Sequence, residues 1–309
     1  VHGARRELQR VREAHCRPRP HRVVDHADAQ TIDRDDAGLL RQPVTLLAWV
    51  RVAPHGEHGR DGLEVVEHSE RILVPSEFVG AELVMALGAH PSRVTVTYLG
   101  CDHIARDLPP EGFGEPRDPY VLTVSRVDAR KNHLRMLEAF ELLVKEGLPY
   151  RWIVAGPPGH GAEFFEEALA NSPARDRVDW RKDVPDSELP RLYSQASVFL
   201  FASLNEGFGL PPLEAMACGT PVVASAVTSL PEVCGDAAFL VEPTESERIF
   251  EATRRLLTEP DLAESFTVVG RQRARKFTWA ECAKSTLLAY RNAQESAGTD
   301  EEPSLLRTL

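Results

Sequence analysis

From Arg71 onward, short apolar runs alternate with longer segments whose apolar residues recur at helical spacing, and before residue 65 almost no such order exists. Ile72-Leu73-Val74 reads as a strand, Ser76 as the cap of a helix over Phe78–Leu87, and Val94–Thr97 as a second strand. This is one βαβ unit. Further along, Tyr120–Ser125, Trp152–Ala155, Val198–Phe201, Val222–Ala224 and Phe239–Val241 are short and apolar. They are separated by helical stretches near Leu134–Lys145, Glu163–Ala170, Ser187–Gln195 and Pro212–Ala217. Continuous apolar strands alternating with helices predict an α/β protein whose parallel sheet is covered on both faces. Ligands of such sheets bind beyond the carboxyl ends of the strands. Helices are expected over Ser246–Leu257, Pro260–Lys276 and from Trp279 to about Ala293.

The opening region is poor material for a core. Up to Glu77 the only aromatic residue is Trp49, and seven of the eleven histidines fall at or before His68. Only Val44–Val52 there reads as a buried strand. The expected organisation is therefore a first domain over 1–107 with its first 65 residues weakly structured, and a Pro- and Gly-rich linker over 108–118. A second domain over 119–276, a final helix over 277–295 and a polar, mobile tail over 296–309 complete it.

Composition narrows the function classes. The chain has 42% hydrophobic and 27% charged residues, and no apolar run approaches the ~18 residues of a membrane span. A net charge of −11 argues against a nucleic-acid partner, whose binding needs clustered Lys and Arg. Five scattered cysteines without a CxxC pair point to a reducing cytoplasm and no structural metal. The N-terminal residues lack the apolar core of a secretory signal, so no export is expected.

The stretch Glu206-Gly-Phe-Gly-Leu-Pro-Pro-Leu-Glu214-Ala-Met-Ala-Cys-Gly-Thr-Pro-Val-Val-Ala-Ser225 follows an apolar strand and reads as glycine loop, helix, turn and strand. Gly207 and Gly209 allow close approach of a ligand, Pro211 and Pro212 suit a first helical turn, and Gly219 suits the left-handed position after the helix. The free amides of such a turn attract phosphate or sugar hydroxyls. Between Gly207 and Pro231 the only charged residue is Glu214. A buried carboxylate must be hydrogen-bonded. Two readings of Glu214 stay open at this point: a cap on nearby backbone amides, or an acceptor for the paired hydroxyls of a ribose. Glu206 is either a solvated loop carboxylate or a sugar-hydroxyl acceptor. At the end of the strand after the linker, Arg126 and Lys131 place two cations at a crevice edge, where anion binding competes with ordinary surface charge. Asn132 is expected to cap the helix that follows.

With Ser125-Arg-Val-Asp-Ala-Arg-Lys131-Asn, Val154-Ala-Gly156, Ser229-Leu-Pro-Glu-Val-Cys-Gly-Asp and Thr278-Trp279, the segment from Glu206 to Ser225 closely resembles the retaining glycosyltransferases of family four. The resemblance runs more thinly back through Val74-Pro-Ser-Glu-Phe78 and Val94–Asp102. It implies a GT-B architecture: two Rossmann-like domains facing a cleft, the N-terminal one incomplete here, with the last helix crossing back to the first domain. By the family's pattern Arg126 and Lys131 bind the donor diphosphate. Glu206 and the amides of Phe208 and Gly209, flanked by Gly207 and Leu210, hold the transferred sugar. Glu214 takes the ribose, and the backbone of Val184, after the strand near Val178, meets the base. The family is described as using no metal at the diphosphate, so Asp33-Arg-Asp35 need not be a metal motif. No cofactor beyond the nucleotide diphosphate sugar is implied.

Ser125 stands where the family often has Gly, and the family's N-terminal glycine-rich loop is not found. His26 is the positional candidate for a family histidine that contacts the donor sugar; an ordinary surface histidine is the competing reading. The resemblance implies transfer of a mannose- or glucose-type hexose from a UDP- or GDP-sugar to a glycan or lipid-linked acceptor, in the cytoplasm or at the inner face of the membrane. The competing functions are a nucleotide-sugar-binding remnant or partner subunit, and another GT-B enzyme such as an epimerase or phosphorylase.

Overall fold

The computed structural model describes residues 66, 69–106, 108 and 119–297. Val44–Val52, nearly all of the expected linker, the tail beyond residue 297, His26 and Asp33-Arg-Asp35 lie outside the described residues.

Strand β1 (Ile72–Val74) pairs in parallel with β2 (Val94–Val96), and helix α1 (Glu77–Leu87) crosses between them. Ser76 caps α1 as expected, its hydroxyl accepting from the amide of Val79 at 3.2 Å. Val66, Ile72, Val74, Val79, Leu83 and Ala89 close a small core of their own.

The larger unit is a six-stranded parallel sheet: β3 (Tyr120–Val124), β4 (Arg151–Ala155), β5 (Val178–Arg181), β6 (Val198–Phe201), β7 (Val222–Ser225) and β8 (Ala238–Val241), in spatial order β5-β4-β3-β6-β7-β8. The chain winds outward from β3 to β5, returns to lay β6 against the other side of β3, and winds outward again. The strand order therefore reverses between β3 and β6. Except in the edge strand β5, both faces of these strands are apolar. Val121, Trp152, Val154, Val198 and Leu200 point to one side, where α2 (His133–Lys145), α3 (Ala162–Asn171) and α7 (Ser246–Thr258) supply Met136, Phe140, Phe165, Ile249 and Leu256. Tyr120, Leu122, Ile153, Phe199 and Phe201 point to the other, under Tyr193 of α4 (Leu189–Gln195) and Leu213 and Met216 of α5 (Leu210–Ala217). Fully burying each such side chain contributes about 1.5–3 kcal/mol, which explains why these strands, the edge strand β5 apart, show no polar alternation. Polar groups inside the sheet are satisfied locally: Thr123 donates to the carbonyl of Leu200 at 2.8 Å and accepts from the indole of Trp152 at 3.0 Å.

Three further helices lie among the described residues: α6 (Leu230–Cys234), α8 (Pro260–Ala274) and α9 (Trp279–Ala297). Helix α9 runs past the expected end near Ala293. Its start meets the segment after β2 at close quarters. The amide of Trp279 donates to Asp102 at 2.8 Å, that of Cys101 donates to the carbonyl of Phe277 at 3.0 Å, and a Cβ on Gly100 would lie 2.1 Å from the Trp279 nitrogen. Only glycine fits there. A second junction lies at α6, where the Glu232 carboxylate accepts the amides of Glu77 and Phe78 at 2.8 and 3.0 Å. It serves the first turn of α1, whose amides have no intrahelical partner. No described helix is long and apolar enough to cross a membrane.

Candidate functional site

Beyond the carboxyl end of β3 the chain makes a tight turn over Ala129–Lys131, capped by the Asp128 side chain accepting from the Lys131 amide at 3.2 Å. Asn132 does not cap α2 as expected. Its backbone is left-handed (φ 63°), and its side-chain amide donates to the carbonyls of Ala202 and Pro243, both at 2.8 Å. Asparagine tolerates that backbone region better than most residues. Here it ties the β3 turn to the ends of β6 and β8, and so fixes where Lys131 emerges.

Lys131 Nζ lies 2.5 Å from Glu206 Oε1 and 5.2 Å from the Phe201 ring centroid. Glu206 is 8% exposed. The reading of Glu206 as a solvated loop carboxylate is thereby excluded, because a buried acid keeps its charge only with a partner. Arg126 is exposed on the same rim, its stem against Gly159, and forms no ion pair or hydrogen bond among the described residues.

The loop from Glu206 to Gly209 is held by its carbonyls. The single Ser229 hydroxyl proton is shared between the carbonyls of Glu206 and Phe208, at 2.8 and 3.0 Å from the oxygen, and Ser76 donates to that of Gly207 at 2.7 Å. Thr228 accepts the Glu206 amide at 3.2 Å. The amides of Gly207, Phe208 and Gly209 are left without a protein acceptor among the described residues. Gly209 sits at φ 101°, where a Cβ would come within 2.4 Å of Leu230 Cδ2, and it opens α5 with Pro211 and Pro212 in the first turn. Gly219 follows the helix at φ 84°, as its sequence position suggests.

Glu214, in the second turn of α5, is 8% exposed and caps no backbone amide among the described residues. Instead Oε2 accepts the Tyr193 hydroxyl at 2.8 Å and Oε1 lies 3.3 Å from His103 Nε2. Burial raises the Glu214 pKa, and the bonds from Tyr193 and His103 act against that rise. The capping reading is thus replaced by a carboxylate held by two side chains, with lone pairs to spare. Val184 lies after β5 at the same end of the sheet, partly buried against the core on the α4–α5 side.

Arg126, Lys131, Glu206 and the Gly207–Gly209 amides therefore meet at the carboxyl ends of β3 and β6, with Glu214 next along α5 and Val184 beyond the outer strand. Four residues of this arrangement were not foreseen: His103, Tyr193, Thr228 and Ser229. Only Ser229, inside a motif already noted, carries a local sequence signal.

Comparison with known proteins places the chain in a family. The profile of the family described as glycosyl transferases group 1 matches residues 108–273. The O-antigen chain mannosyltransferase B of Escherichia coli is 33% identical over 74% of this chain and 62% of its own length. The D-inositol 3-phosphate glycosyltransferase of Kribbella flavida is 32% identical over 77% of this chain and 60% of its own. This chain thus spans about three fifths of the length of these relatives. Among solved structures, the sucrose-phosphate synthase of Thermosynechococcus elongatus superposes with a TM-score of 0.64 at 27% identity, over 76% of this chain and 61% of that one. A glycosyltransferase from Rickettsia africae gives the same TM-score at 20% identity, over 77% and 69%, which bears on the fold alone. The α/β architecture is GT-B, with two parallel strands described in the N-terminal unit, and the chain belongs to the glycosyl transferases group 1 family.

Proposed function

We propose that the chain transfers a hexose from a nucleotide diphosphate sugar to a hydroxyl of a glycan or lipid-linked acceptor, with retention at the anomeric carbon. The observation that carries this reading is the convergence of Arg126, Lys131, Glu206 and the unclaimed amides of Gly207, Phe208 and Gly209 where the strand order reverses between β3 and β6. That is where sheets of this kind bind nucleotides. Names of relatives that include mannosyltransferases support a mannose-type sugar and a polysaccharide acceptor.

In this reading Arg126 and Lys131 meet the diphosphate, and Glu206, beside the Phe208 and Gly209 amides, holds the sugar. Leu210 lines its position. Glu214 accepts the ribose hydroxyls and the Val184 backbone meets the base. As the bond from the anomeric carbon to the phosphate oxygen breaks, negative charge develops on the diphosphate, and in this reading the two cations and the loop and helix amides stabilise it. The acceptor oxygen forms the new bond, and its proton passes to the departing phosphate. The reaction needs no protein nucleophile, and these charges serve where a metal otherwise would. A lipid-linked acceptor would place the enzyme at the inner face of the membrane. His26 stays a candidate for the acceptor side.

Titration calorimetry with UDP-glucose and GDP-mannose, followed by turnover with and without a chelator, tests the reading. Binding and chelator-resistant transfer are expected. Binding of neither donor removes it, and chelator-sensitive transfer removes its metal-free part.

A further inference from the structure

We infer that His103 is a positioning residue for the nucleotide site, turning the Glu214 carboxylate toward the ribose from outside the six-stranded sheet. This rests on the assignment of Glu214 to the ribose.

The hydrogen-bond pattern fixes the role of each atom. An indole N–H can only donate. Trp279 Nε1 donates to His103 Nδ1 at 3.1 Å, so Nδ1 carries no proton and the ring proton sits on Nε2, 3.3 Å from Glu214 Oε1. The ring lies 6.1 Å from the Trp279 ring, centroid to centroid. On the other oxygen the Tyr193 hydroxyl donates at 2.8 Å. Burial and the charge of Glu214 push the Tyr193 pKa well up, so it stays a donor. Each carboxylate oxygen is thus held by one donor and retains a lone pair.

Tyr193 reaches Glu214 from within the sheet's own helical layer, but His103 does not. It belongs to the turn after β2, and its partner Trp279 is the first residue of α9, tied to the same turn through Asp102. Without the imidazole, Oε1 would have no protein donor among the described residues. The carboxylate could then rotate about the single bond from Tyr193, and its pKa, already raised by burial, would rise further.

The test compares the full chain with the variants His103→Leu, His103→Gln, Trp279→Phe and Glu214→Ala. Each is titrated with whichever of UDP and GDP binds, and with its 2′,3′-dideoxy counterpart. His103→Leu should weaken the ribonucleotide about tenfold, the scale of one hydrogen bond to a charged group, and leave the dideoxy compound unchanged. It should also shift the acid loss of binding to higher pH. His103→Gln, whose amide can still donate to Oε1, should restore most of the affinity, and Trp279→Phe should give an intermediate loss. Equal losses for both nucleotides, or no loss in His103→Leu while Glu214→Ala still loses ribonucleotide affinity, would overturn the inference. Unchanged affinity in Glu214→Ala would instead remove the ribose assignment beneath it.

Discussion

The Ser76 hydroxyl donates to the carbonyl of Gly207 at 2.7 Å, across 131 positions of sequence, while accepting from the amide of Val79. One side chain thus starts a helix in the first unit and holds the glycine loop of the second. Ser76→Ala is expected to cost about 1–2 kcal/mol through the lost cap and also to weaken donor binding, because the loop amides lose their orientation. Urea unfolding and donor titration on the same sample check both. A stability loss with unaltered affinity would mean the loop does not depend on Ser76.

Lys131 and Glu206 form a close, largely buried pair. Lys131→Ala should lower affinity for a nucleoside diphosphate by about tenfold or more, the scale of a charge-assisted contact, and spare the free nucleoside. Equal losses for the two ligands would make the pair structural only.

His133 is buried beside this site, and burial, followed by the nearby Lys131 charge, lowers its pKa from 6.5 to about 3. Between those values the unfolded chain binds a proton that the folded chain refuses. Stability should therefore be complete above pH 6.5 and fall by roughly 1.4 kcal/mol per pH unit as the medium is acidified through that window. His133→Gln should flatten this slope. Urea midpoints of both proteins at several pH values measure it, and parallel curves would refute it.

At Gly209 the backbone angle matters more than the crowding. The nearest atom to an added Cβ is the end of a flexible Leu230 side chain, which can turn aside, but φ 101° cannot be relieved in the same way. Gly209→Ala should destabilise the chain by about 1–3 kcal/mol, and Leu230→Ala on top should not recover it. Recovery in the double variant, measured by thermal unfolding, would show that the clash dominates.

The legible parts of this protein were those encoded locally. Strands such as Val198–Phe201 are apolar on both faces and bounded by turns, and Glu214 stands alone in an apolar helix, so both could be read directly. Strand β5 was placed near Val178 only through the family resemblance, because this edge strand carries Asp179 and Arg181 among its four residues and shows no apolar run. Helix α6, at five residues, is too short to show a period. Asn132 was placed at the right helix start with the wrong duty: its partners, Ala202 and Pro243, are 70 and 111 positions away. Separation in sequence also hid His103 and Tyr193 from view, for nothing near either residue marks it as a partner of Glu214.

The carboxylate of Glu232 closes the open end of α1 from another part of the chain. Dissecting the protein between Arg106 and Pro119 would therefore not yield two self-sufficient modules. One product would display a helix with bare amides, and the other a stranded acid beside the glycine loop. The two units complete each other's charges and hydrogen bonds, and dissection would leave each half carrying the other's missing counterpart.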